Sequence, residues 1–225
     1  MPPQNRRPLR SRDSAWATRL AHWLIRARVR PNHISLASLV AAAAAAGCLL
    51  RRWYPPAALF ILLRLGCNLM DGMVAIEGGR ATPAGEIFND LPDRLSDAMI
   101  LCAAGYSQDW PSYASELGWI AALLAILTAY IRVLGGSLGL PQDFHGPMAK
   151  PQRMAVMITA CLVGGFDPRV IAVALWVIVA GSVVTAALRL RRIAAQLQRG
   201  REPIPGQPPP APGPQALPQP PTSNP

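Results

Sequence analysis

The sequence predicts an all-α integral membrane protein: six transmembrane helices preceded by an N-terminal amphipathic surface helix. Three observations carry this expectation. Hydrophobic residues make up 51% of the 225 residues and charged residues only 15%, against about 25% in a soluble protein. The apolar residues gather into six stretches. The net charge of +10 is concentrated at the two ends, with 8 of the 22 basic residues before position 31 and 5 between Arg189 and Arg201. Basic ends around an apolar middle fit a positive-inside membrane protein. No aromatic RNA-binding signature or interleaved basic stripe accompanies the charge, which argues against nucleic acid.

The elements follow in order. Residues 1–11 are polar, basic and Pro-containing, and read as a disordered N-terminus. Residues 12–30 read as a juxtamembrane helix, with Trp16, Leu20, Trp23 and Leu24 at helical spacing and Arg19, Arg26 and Arg28 between them. Pro31 and Asn32 break it. The apolar run starts too late for a cleavable signal peptide, and no small-residue cleavage site follows. The six spans are then expected over 34–50, 56–76, 86–106, 117–134, 154–166 and 170–188. About 20 helical residues cross a bilayer core of about 30 Å. The fifth run is short and reaches that length only if its helix extends back past Arg153. The six-helix domain is placed at 31–195 and a Pro-rich disordered tail at 196–225. The arginines put both termini, and the loops 77–85 and 138–152, on the cytoplasmic side of a bacterial inner (plasma) membrane.

Cys48, Cys67, Cys102 and Cys161 lie in separate apolar runs with no close pair. They make neither a zinc site nor a disulfide framework and read as small hydrophobes. No catalytic role is assigned to His22, His33 or His145.

Polar residues in the second and third spans carry the chemistry. Asp71, Glu77, Glu86, Asp90, Asp93 and Asp97 are half of the 12 acidic residues, placed where carboxylates are costly. Asn68 and Asp71, three apart, share a helix face. Thr82 and Pro83 read as N-cap and first helical residue of the third span. Glu86, Asn89, Asp93 and Asp97 then fall within an arc of roughly 80°, which Asp90 slightly extends. Unpaired carboxylates at this density repel one another. A divalent cation held by Asn68, Asp71, Asn89, Asp93 and Asp97 resolves the repulsion. Oxygen-only ligands suit magnesium, manganese or calcium rather than zinc. Arg80 and Arg94 leave a second solution open, a structural salt-bridge network. Pro92 removes the hydrogen bond to the Phe88 carbonyl, which would kink the helix beside the cluster and free that oxygen as a further ligand.

The segment NLMDGMVAIEGGRATPAGEIFNDLPD resembles the signature of the CDP-alcohol phosphatidyltransferase family. That pattern reads Asp-x-x-Asp-Gly-x-x-Ala-Arg, a short spacer, then Gly-x-x-x-Asp-x-x-x-Asp. Asp71, Gly72, Ala75, Gly85 and Asp93 match it. RPNHIS at 30–35 is similar to the family's entry to its first membrane helix. Arg132 resembles a basic residue on the fourth helix, and Lys150 and Arg153 a basic pair before the fifth. The resemblance implies transfer of a substituted phosphate from CDP-diacylglycerol or a CDP-alcohol to an alcohol acceptor, in phospholipid biosynthesis, with release of CMP. It implies Asp93 as general base and Asp71 as metal ligand. Asn68, Asp71, Gly72, Ala75 and Gly85 would bind the CDP moiety, and Arg132, Lys150 and Arg153 the phosphate or headgroup. It also implies one or two ions of Mg2+ or Mn2+, and a homodimer.

The chain departs from the pattern at three positions. Asn68 and Asn89 stand in place of the first and third Asp, and Ile76 in place of the Arg. An amide oxygen can ligate a metal but brings no charge. Glu86, Asp90 and Asp97 are the acidic residues that would compensate. Two other readings stand beside the transferase. An inactive homologue accommodates the three departures. An ion- or proton-coupled transporter would place the carboxylates near the bilayer midplane on several spans, whereas these lie toward the cytoplasmic ends of two.

Overall fold

The computed structural model describes residues 14–79 and 83–199, without the side chains of 83–86, 88, 89 and 199. Among the described residues the secondary structure is helical, with no strand. The helices are α1 (Ala15–Arg26), α2 (Pro31–Leu50), α3 (Tyr54–Glu77), α4 (Pro83–Tyr106), α5 (Ala114–Ser137), α6 (Lys150–Gly164) and α7 (Arg169–Arg199). The expectations for 1–11, Thr82 and most of the 196–225 tail lie outside the described residues.

Each apolar run is a helix, and the differences lie at the ends. The first helix stops at Arg26, short of the expected 30. Arg28 has φ +56°, and Pro31 disfavours helix in the residue before it. Pro31 then sits in the first turn of α2, where its missing N–H costs nothing. Pro83 opens α4, as expected, and Pro92 is contained within that helix. The fifth run does extend back past Arg153, to Lys150, yet α6 has only 15 residues, about 22 Å. Residues 196–199, expected in the tail, continue α7.

Among the described residues, four helices, α2, α3, α5 and α7, are long and apolar enough to cross a membrane. α4 has 24 residues but bears the acidic edge. Large apolar side chains such as Leu36, Val40, Leu59, Leu63, Leu123 and Val173 point outward, while Arg64, Asp71, Asp97 and Arg153 are buried. This inside-out polarity belongs to a protein whose solvent is lipid. The chain is an integral membrane protein.

The helices close a ring, α2–α4–α5–α7–α6–α3, with α1 packed on α3. The ring interior is built from small residues, among them Ala42, Ala45, Ala57, Ala58, Ala121, Ala122 and Ala125. Without a hydrophobic drive between helices in lipid, such residues let backbones approach and gain dispersion contacts. A close crossing joins α4 and α5 at Gly105 and Gly118. A Cβ on Gly118 would lie 2.8 Å from the Leu101 carbonyl oxygen and 3.0 Å from Gly105 Cα. α1 buries Ala17 and Ala21 against Met70, Met73 and Val74 and turns Trp16, Leu20 and Trp23 outward. α3 and α4, consecutive in sequence, touch only lightly. Long side chains rather than backbones bridge them, and a cleft remains.

Candidate functional site

The site is assembled on α3 by a matched pair from α2. Ser35 and Ser38 stand three apart on α2, as Asn68 and Asp71 do on α3. Ser35 Oγ donates to Asp71 Oδ2 at 2.9 Å, and Ser38 Oγ to Asn68 Oδ1 at 2.6 Å. Holding the Asn68 carbonyl toward α2 turns its amide N–H outward. That N–H donates to Asp93 Oδ1 on α4.

Asp93 is the hub, 9% exposed. Arg64, four residues before Asn68 on α3, reaches Asp93 Oδ1 at 3.3 Å and the Asp93 carbonyl at 3.1 Å through Nη2. Lys150, the first residue of α6, donates from Nζ to Asp93 Oδ2. Polar groups of the second and third spans do face one another, through the Asn68 amide and the Arg64 guanidinium meeting one carboxylate, with Lys150 joining from α6.

Asp97 was expected among the metal ligands, and the structure gives it other partners. Arg64 Nη2 lies 2.6 Å from Oδ1, a charge contact without hydrogen-bond alignment. Arg153 Nη2 donates to Oδ2 at 3.2 Å. A fully buried carboxylate needs such neutralisation. Asp97 is the fifteenth residue of the 24 in α4, about 20 Å along the helix. It lies deeper than the expected cytoplasmic end. Asp90, expected to supplement the ligands, pairs with Arg94 at 2.5 Å and Arg132 at 3.1 Å. Asn89, Gly85 and Glu86 fall on α4, and their side-chain positions lie outside the described residues. Gly72 is buried and Ala75 half-buried on α3, and Ile76 is exposed.

The three cations expected to meet phosphate are brought together. Arg132 from α5 and Lys150 and Arg153 from α6 line one cleft of about 510 Å³, with Asn68 and Asp93 in its wall. Leu62, Leu65 and Leu69 supply an apolar side. Arg132 is steered by Gln142 at 2.7 Å and stacks over Phe144, 5.4 Å from the ring centroid. Arg153 is the most committed of the three. It is 2% exposed and donates to Thr128 Oγ1 and the Met148 carbonyl as well as to Asp97. Lys150 keeps 22% of its side chain exposed.

Arg189 also lines the cleft, although in the sequence it is one of the basic residues of the C-terminal end. It donates to the His145 and Thr128 carbonyls at 2.9 and 2.6 Å. Its signal was its inward register with Ser182 and Thr185, both fully buried on α7. The nearby loop is pinned by Asp143. Partial burial pushes the Asp143 carboxyl up, but hydrogen bonds from the His145 N–H and ring, with Arg192, hold it below the usual range.

A divalent ion finds limited purchase. Among the described residues, no three His, Cys, Asp or Glu side chains converge on one point. Both oxygens of Asp93 and of Asp97 face cations. Asp71 Oδ1 is different, being buried with no partner. An orphaned carboxylate oxygen in a 2% exposed side chain suits a hard cation.

The chain is similar to known proteins over most of its length. The family model for CDP-alcohol phosphatidyltransferase matches residues 28–188. The phosphatidylinositol phosphate synthase of Mycobacterium tuberculosis is 25% identical over 190 residues, covering 78% of this chain and 84% of the relative. The structure of that synthase with CDP-DAG bound superposes with a TM-score of 0.71 at 22% identity, over 80% of this chain and 94% of the other. Its complex with manganese and citrate also gives 0.71 at 22% identity, over 79% and 88%. The chain therefore belongs to the CDP-alcohol phosphatidyltransferase family and is a membrane-embedded transferase of phospholipid synthesis.

Proposed function

We propose that the chain transfers a phosphatidyl group from a CDP-linked lipid to the hydroxyl of a phosphorylated polyol, an inositol phosphate being the leading candidate. The carrying observation is the shared cleft, where Asp93 of α4 faces Lys150 of α6 beside Arg132 of α5. Its apolar wall suits acyl chains, and its cations suit phosphate. The relatives named as phosphatidylinositol phosphate synthases, one of them with CDP-DAG bound, support this donor and acceptor class.

In this reading Asp93 takes the proton of the acceptor hydroxyl. The hydroxyl oxygen forms a bond to the donor's lipid-side phosphorus, the bond from that phosphorus to CMP breaks, and CMP leaves. Lys150 has three donors on a flexible stem. When substrate phosphate enters, it exchanges Asp93 Oδ2 for a phosphate oxygen, and that carboxylate oxygen turns to the hydroxyl. Arg132 and Arg153 hold the headgroup phosphate, Arg153 largely as a fixed charge. Gly72, Ala75 and Gly85 let the CDP moiety approach the helix backbones. Asp71 would hold one Mg2+ or Mn2+, with Asn68 and Asn89 as neutral neighbours. Such an ion would supply charge neutralisation on the donor pyrophosphate. The manganese complex of the relative supports a metal here.

The remaining topology belongs to the same proposal. α4 and α6, as members of the ring, complete six spans, with Leu91, Leu95 and Leu162 facing outward. α1 lies on the cytoplasmic leaflet with Trp16, Leu20 and Trp23 toward lipid. The basic termini are cytoplasmic, in a bacterial inner membrane, and the protein pairs as a homodimer by analogy with the family.

Release of CMP by the purified protein tests the reading, using CDP-DAG, magnesium and a panel of inositol phosphate, glycerol phosphate, inositol and serine. Activity with a phosphorylated polyol is expected. A folded protein silent with every acceptor would favour the inactive homologue, to which Asn68, Ile76 and the double clamping of Asp93 also point.

A further inference from the structure

Arg64 is, with Arg153, among the largest fully buried side chains of the described residues, and the signature assigns it nothing. Its place in the fold is specific. It stands one helical turn before Asn68 on the face of α3 that looks toward α4. A single nitrogen, Nη2, addresses Asp93 Oδ1, the Asp93 carbonyl and Asp97 Oδ1. Nε and Nη1 are buried with no partner. A guanidinium at 0% exposure is held at high cost unless the charges around it require it.

The neighbours define what it replaces. Asn68 turns its N–H, not its oxygen, toward Asp93, so the gap between them holds a donor and an acceptor already joined. An ion bridging Asn68 and Asp93 would need two oxygens there. Asp93 Oδ1 is thus satisfied by an amide and a guanidinium, and Oδ2 by Lys150. Among the described carboxylates of this cluster, Asp71 is the one paired with no cation, and its Oδ1 is buried without a hydrogen-bond partner.

We infer that Arg64 is a built-in cation of the catalytic centre, a positioning residue that does at Asp93 what a second divalent ion would otherwise do. The centre then takes one ion, at Asp71, and not two. The inference rests on the transferase reading for its purpose but makes a separate claim about ion count. It accounts for the neutral amide at 68. With a fixed guanidinium on α3, a further carboxylate at that position would compete with Asp93 for it and pull it out of register.

The test counts Mn2+ on the full-length protein in detergent, by calorimetry and by electron paramagnetic resonance. One Mn2+ per chain with the spectrum of an isolated ion is expected, lost in Asp71→Asn. The double variant Arg64→Met with Asn68→Asp is expected to take up a second ion and show a spin-coupled pair. Asn68→Asp alone, which keeps the guanidinium, should remain at one ion, as should Arg64→Lys. Two coupled Mn2+ in the unaltered protein, or none, overturns the inference whatever the variants do. Failure to release CMP would defeat the proposed function and leave the ion count standing, so the two claims fail separately.

Discussion

Lys150 Nζ donates a hydrogen bond to Asp93 Oδ2, joining the first residue of α6 to the middle of α4 across the mouth of the cleft. The pair is 57 residues apart in sequence and partly open to solvent, so it can part when a substrate arrives. Lys150→Met should lower kcat/KM for CMP release by about 10²–10³-fold, the scale of losing one well-placed charged donor. Lys150→Arg should recover part of that. The melting temperature in detergent should fall less than on loss of Arg153, because 22% of the lysine side chain is exposed and Asp93 keeps Arg64 as a partner.

The Asp97–Arg153 pair behaves oppositely. Both side chains are 2% exposed, so removing one leaves a buried charge. Arg153→Leu should cost about 3–5 kcal/mol of stability, read as a lowered denaturation midpoint. The double variant with Asp97→Leu should lose less than the two single losses summed, measured by a mutant cycle.

Ser35 holds the Asp71 carboxylate from behind. Ser35→Ala removes the 2.9 Å hydrogen bond to Oδ2. Loss of such an outer partner weakens metal affinity about 10–100-fold. Mn2+ titration of the variant should show that decrease, with an acceptor KM close to that of the unaltered protein.

The α4–α5 crossing tolerates no side chain. Gly118→Ala would place a Cβ 2.8 Å from the Leu101 carbonyl oxygen, a backbone atom that cannot rotate away. A destabilisation of about 1–3 kcal/mol is expected. Because the crossing is far along α4 from Asp93, the KM for acceptor should be retained in the folded fraction.

The helices were legible because apolar runs and Pro breaks act locally. The six runs, the start of α4 at Pro83 and the backward extension of α6 all follow from such signals. The grouping of Arg132, Lys150 and Arg153 with Asp93 was legible only through the family resemblance, since it joins α4, α5 and α6. What the sequence hid is the partnership of each charge. Asp97 looks like a ligand on the same helix face as Asp93, yet Arg64 and Arg153 reach it from two other helices. Ser35 and Ser38 look like tolerated small residues in an apolar span. Their role emerges only when α2 lies beside α3. Arg64 has no local signal separating a buried cation from one that snorkels to the surface.

The most direct measurement is CMP release by Asp93→Asn, a change that keeps the shape of the side chain and one accepting oxygen while removing the basic carboxylate. Proton acceptance in the transition state contributes about 10²–10⁴-fold, so a loss of that size is expected, with the protein still folded and still binding CDP-DAG. Turnover equal to that of the unaltered protein would contradict the assignment of Asp93 as the group that activates the acceptor.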